Sequence, residues 1–166
     1  MAASSSGTAT VSLPTDEQIL ITREFAAPAD MLWKAFTTPE LVKRWWHANR
    51  GEITVCEIDL RVGGAWRFVT VAPDGFEVAF HGEYREIVPN ERIVATEIYE
   101  GAWQPGETEQ GTLNTTTFTE VDGRTTLTIL VDAPSKELRD AIIESGMEEG
   151  LQDALDLLEQ VAISLR

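Results

Sequence analysis

The residues whose types suit chemistry are few, and strand alternation assigns each of them a face. Glu97 stands between Ala95 and Tyr99 in an alternating run and so shares a face with them. An inward carboxylate there is costly unless it is hydrogen-bonded or put to use, which makes Glu97 a candidate polar anchor or acid–base group of a cavity. His81 has the side-chain type of a general base. Alternation nevertheless groups it with Glu77, Glu83 and Arg85 on a polar, outward face. Asp59 and Arg61 lie two apart beside Gly63 and Gly64, on one strand face near a bend, and are expected to pair with each other. Their functional alternative is recognition of a ligand carboxylate by Arg61.

Nucleophilic, metal and phosphate chemistry find no support. Cys56 is the only cysteine; it sits in an apolar alternating strand without an adjacent base, where a thiol is inert. One cysteine with His47 and His81 provides too few ligands for structural zinc, so neither a metal nor another cofactor is expected. The chain holds no G-x-S-x-G elbow, no H-E-x-x-H, no G-x-x-x-x-G-K-[ST] and no G-x-G-x-x-G. Apolar and aromatic residues are abundant instead. Trp46, Phe68, Phe80, Tyr84 and Trp103, with Met147, Gly150 and Leu151, are expected to line a ligand site, since such sites are mostly apolar with a few polar groups. Trp33, Phe36, Trp66 and Phe118 are expected to fill core.

The elements that must position these residues follow from the pattern. Glu17–Phe25 alternates and runs into Ala27-Pro28, the start of a short helix through Leu32, Trp33 and Phe36. Thr38-Pro39-Glu40 restarts a second helix with Thr38 as N-cap, carrying Leu41, Val42, Trp45 and Trp46. Alternating runs over residues 52–60, 65–72, 76–87, 92–100, 112–121 and 124–131 then read as six strands. Pro73-Asp74-Gly75, Pro89-Asn90 and Asp122-Gly123 supply tight-turn chemistry, so the strands form an antiparallel meander. The link from Gly101 to Gly111, with Trp103, Pro105 and Gly106, is long enough to cover an opening.

Ser135 is the expected N-cap of one closing helix to Leu165. Along it Leu138, Ile142, Gly146, Gly150 and Ala154 form one ridge, and Met147, Leu151, Leu158, Val161 and Leu165 extend an apolar face. A helix-interior glycine costs about 1 kcal/mol relative to alanine. Two of them one turn apart therefore signal either close backbone packing or space left open for a ligand.

Composition bounds the rest. A length of 166 residues suits a single domain over residues 17–166 behind a flexible tail at 1–16, which is rich in Ala, Ser and Thr. The tail lacks a basic start and an apolar signal core, and no apolar run reaches membrane-spanning length, so a cytoplasmic protein without membrane contact is expected. With 28 acidic against 13 basic residues, a net charge of −15 disfavours nucleic acid. Lys34, Lys43, Arg44 and Arg50 nonetheless make the helical region locally basic.

Several of these segments occur together, and in an order that carries a resemblance. Phe25-Ala26-Ala27-Pro28, Trp33-Lys34-Ala35-Phe36, Pro39-Glu40-Leu41 followed by Trp45-Trp46, and Asp59-Leu60-Arg61-Val62-Gly63-Gly64 with Trp66 come first. Pro73-Asp74-Gly75, Phe80-His81-Gly82-Glu83-Tyr84, Asp122-Gly123 and Gly146-Met147-Glu148-Glu149-Gly150 follow. From Ile19 to Leu165 the chain resembles the family of homologues of the activator of heat-shock-protein-90 ATPase. The resemblance implies an α+β helix-grip fold of the START-like, or SRPBCC, class: a strand, two short helices, six strands, and a long C-terminal helix lying on the curved sheet over a central cavity.

Three functions are expected in order. The first is binding of an apolar or aromatic small molecule, such as a lipid or polyketide, between the last helix and the sheet, by a monomer or weak dimer. The second is a chaperone-associated interaction module, with Lys43, Arg44 and Trp46 meeting an acidic partner. The third is a cyclase- or hydrolase-like enzyme with Glu97 or His81 as general base.

Overall fold

The computed structural model describes residues 9–46, 51–100, 111–145 and 147–165. Eight strands form one antiparallel sheet: β1 (Thr10–Ser12), β2 (Gln18–Phe25), β3 (Glu52–Ile58), β4 (Ala65–Val71), β5 (Glu77–Val88), β6 (Arg92–Tyr99), β7 (Gly111–Val121) and β8 (Arg124–Asp132), in the order β1-β2-β8-β7-β6-β5-β4-β3. From β3 to β8 the sheet is a meander, as the turn chemistry requires. Asn90, Asp122 and the glycines Gly75 and Gly123 have positive φ, the conformation such tight turns need and that Gly, Asn and Asp adopt most easily. Two short helices, α1 (Ala29–Thr37) and α2 (Pro39–Val42), fill the connection from β2 to β3. Each begins at an X-Pro step that the sequence marks; Thr38 takes the N-cap position of α2, but its side chain makes no capping hydrogen bond.

Two expectations need correction. The stretch assigned to a flexible tail contributes β1, which pairs with β2 from Thr10↔Thr22 to Ser12↔Leu20. Both backbone groups of Ala9 bond the Gln152 side chain, at 3.0 and 2.9 Å. Short edge strands of three residues carry too little alternation to be read. The closing helix is also two helices, α3 (Lys136–Glu144) and α4 (Met147–Ile163). Ser135 caps α3 by accepting from Leu138 N–H at 3.1 Å, as expected. At the far end the Ser145 hydroxyl donates to the Ile142 carbonyl, an interaction that competes with helix continuation. The continuous ridge through Leu138, Ile142 and Gly150 is thereby broken, and Gly146 lies outside the described residues.

Side-chain alternation gives the sheet an inner and an outer face. Ile19, Ile21 and Phe25 of β2 and Leu127 and Val131 of β8 are buried under the helices, with exposures of 0 to 8%. The core between sheet and helices is completed by Leu32 and Ala35 of α1, by Val42, and by Leu155, Leu158, Val161 and Ala162 of α4.

Candidate functional site

The two halves of α4 meet the sheet differently. In the C-terminal half, Leu155 and Leu158 are 1% and 0% exposed. A charge cluster around the buried Arg23 pins this half down: Arg23, on the inner face of β2, donates to the exposed Asp156 at 2.7 Å and to the buried Glu159 at 3.1 Å, and Glu159 accepts from Ala26 N–H at 2.9 Å. The Arg23 guanidinium also lies 4.9 Å over the Phe25 ring, a cation–π contact. In the N-terminal half, Met147, Gly150, Leu151 and Gln152 are only half-buried. Among the described residues, apart from its chain neighbours and its own helix backbone, no atom comes within 4 Å of where a Cβ on Gly150 would stand. Close packing by another described element is thus not the reason for this glycine.

The inner face of β4 to β7 combines aromatic rings with one polar relay. Trp66, Phe68, Trp46, Phe80 and Tyr99 form a continuous run with successive centroids 4.9, 5.2, 5.2 and 5.2 Å apart, in the edge and tilted geometries aromatic pairs prefer. Trp66 is fixed by donating its indole N–H to the Thr96 carbonyl at 3.1 Å. Two residues before Tyr99, Glu97 shares the face of Ile93 and Ala95, both in the core. Thr112, which is buried, donates to Asn114 Oδ1 at 2.8 Å, and Asn114 donates to Glu97 Oε1 at 2.9 Å. Burial raises the pKa of Glu97, and the Asn114 hydrogen bond offsets part of that rise.

The remaining expected residues fall out as follows. Phe68 and Tyr84 are buried in the core, and Phe80, Trp46, Met147 and Leu151 pack on it half-exposed. Burial raises the Tyr84 pKa. Trp103 lies outside the described residues. Trp45 is buried and donates to the Ala35 carbonyl at 2.9 Å, while its neighbour Trp46 turns onto Phe68 and Phe80. Lys43 and Arg44 are exposed, while Trp46 is half-buried. Cys56 is half-buried, donates to the Pro39 carbonyl at 3.6 Å, and has its pKa pushed up to about 11 by burial, the state of an unreactive thiol. Asp59 and Arg61 do pair, at 2.9 Å, but in the turn after β3, and both are exposed. Sequence reading placed Tyr99 on the face of Glu97 without assigning it to the site, and it missed Asn114 and Thr112, which only the β6–β7 register brings beside Glu97.

The outer face carries a separate charged cluster. Arg67 makes two 2.9 Å hydrogen bonds to Glu100, which also meets His81 Nδ1 at 2.9 Å. The Arg67 contact first, and His81 second, hold the Glu100 pKa below the usual carboxylate range. These residues, with Glu57, Ala65 and Gly82, border an open depression of about 620 Å³. A second one, of about 380 Å³, lies by Arg85, Thr96, Ile98 and Asp132. His81 therefore faces outward, as alternation requires, and away from Glu97. Among the described residues no group of His, Cys, Asp and Glu is placed to hold a metal ion, and no helix is long and apolar enough to cross a membrane.

Residues 26–162, from the strand–helix junction through almost all of α4, match the family model described as activator of Hsp90 ATPase homolog 1-like protein. The chain belongs to this family. Its fold recurs in solved structures of bacterial proteins. One from Rhodobacter sphaeroides is 27% identical with a TM-score of 0.86, over 95% of this chain and 99% of that one. One from Mycobacterium smegmatis is 25% identical with a TM-score of 0.81, over 95% and 99%. One from Chromobacterium violaceum is 28% identical with a TM-score of 0.73, over 87% and 96%. The helix-grip architecture of the Hsp90-activator-homologue family is thus the architecture of this chain. A comparison with curated proteins finds no match.

Proposed function

We propose that the chain binds an apolar or aromatic small molecule between the N-terminal half of α4 and the inner face of the sheet. The observation that carries this reading is the open space at Gly150 in the half of α4 whose apolar residues are left half-exposed. The fold supports it, because a helix laid across a sheet can part from it at one end while staying sealed at the other. The inner face of β4 to β7 offers suitable material: a run of aromatic rings gives apolar contact, and a single polar relay at Glu97 gives orientation, the composition usual for small-molecule sites. No bond-making step is required of any residue.

Titration with fatty acids, flavonoids and aromatic polyketides, followed by backbone amide shifts in NMR, tests the reading. Shifts clustered on Met147, Gly150, Leu151 and Tyr99 are expected for at least one class. Shifts confined to the outer-face depression around Arg67 and His81, or none with any class, would overturn it.

A further inference from the structure

We propose that Glu97 makes this site selective for a cationic amine carried on an aromatic or apolar body. The proposal rests on the cavity reading above and adds the chemical class of the ligand's polar group. Three features of the structure support it.

The relay has a direction. Thr112 gives its proton to Asn114 Oδ1, and the Asn114 amide gives one to Glu97 Oε1, so the chain of donors ends on a carboxyl that accepts. Among the described residues that is the only hydrogen bond this carboxyl makes, and no lysine or arginine lies close enough to hold its pKa down. A carboxylate in apolar surroundings without a countercharge is completed by a ligand that brings one. Next, the rings beside it suit a cation. Tyr99 is two residues away on the same face and stacks on Phe80, which meets Trp46, and ring faces attract ammonium groups. Finally, the surroundings disfavour the opposite charge. The two buried arginines of the helix–sheet interface are already engaged, Arg23 by Asp156 and Glu159 and Arg139 by Asp140 and the Thr15 carbonyl. The first turn of α4 carries Glu148 and Glu149, within a chain of net charge −15, which steers cations inward and anions away. A fatty-acid carboxylate would bring no countercharge to Glu97.

Naphthylmethylamine, naphthylmethanol and naphthoate share an apolar body and differ in the polar group. Their dissociation constants are measured by calorimetry near neutral pH, on the wild-type chain and on Glu97→Gln. The amine is expected to bind the wild type about tenfold tighter than the alcohol or the carboxylate, and Glu97→Gln to bring amine and alcohol to parity. Equal affinities, or a preference for naphthoate, would overturn the proposal while leaving the cavity reading standing. An amine preference that survives in Glu97→Gln would assign it to overall acidity and overturn the proposal too. Binding of none of the three overturns the proposal, and the titration with fatty acids, flavonoids and polyketides decides the cavity reading separately. Should Glu97→Gln fail to fold, the carbon-13 shift of the Glu97 carboxyl in the wild type decides instead: it must move toward the ionised position with the amine and not with the alcohol, and an unmoved shift contradicts the proposal.

Discussion

The two ends of α4 use the same helix for opposite purposes. From Ala154 onward its inner side chains are buried, and a charged cluster of Arg23, Asp156 and Glu159 ties it to β2. Before Ala154 the helix carries a glycine on which no other described element packs, and side chains half in solvent. One half is sealed and anchored, and the other leaves its apolar side chains half-exposed.

The contrast can be broken most directly at the closed end. Arg23→Ala leaves Glu159 buried without its cation and is expected to cost about 3–5 kcal/mol in urea unfolding; a loss below about 1 kcal/mol would show that the cluster does not anchor α4. Leu158→Ala is expected to lose about 2–5 kcal/mol, whereas Leu151→Ala, removing a side chain that is already half in solvent, should lose only about 1 kcal/mol. Equal losses would erase the distinction between the two halves. Gly150→Ala is expected to stabilise the fold by about 0.5–1 kcal/mol, because the added methyl meets open space in a helix interior. Destabilisation there would mean that an element packs on the glycine after all.

The smallest effect is the pH dependence of Glu97→Gln. The folded-state pKa of Glu97 is raised by burial, so this residue contributes most to stability when protonated, below its unfolded value. It then destabilises progressively as pH rises toward the folded value. The variant should therefore match the wild type near pH 4 and gain on it as pH increases from about 4.3 upward. A difference that stays flat over this range would place Glu97 in solvent. Glu100, held down by Arg67 and His81 on the outer face, works in the other direction: its contribution is present above the unfolded pKa and is lost as pH falls through the folded one.

Much of this architecture is legible in the sequence. The β3–β8 meander is written in alternation and in Pro73-Asp74-Gly75 and Asp122-Gly123, and the strand ends fall within two residues of where the pattern puts them. The family resemblance supplied the helix across the sheet. What alternation could not give was the break at Ser145, since an apolar face at helical spacing continues through it unaltered. Nor could it show β1, whose three residues pair only because β2 is already in place. Within the site, Glu97 was readable as a carboxyl on an apolar face. Its partner Asn114 was hidden in a run of threonines, where polar residues are common and carry little signal. Arg23 and Glu159 each interrupt an apolar face, on β2 and α4; that shared anomaly is the signal by which their pairing could have been found.

The most direct measurement is of intermolecular NOEs from the tightest-binding compound of the titration series to assigned methyl groups. The account predicts contacts to the methyls of Met147 and Leu151 and to the ring of Phe80, with none to Leu158 or Val161. Contacts to Leu158, or contacts only to residues around Arg67 and His81 on the outer face, would contradict it.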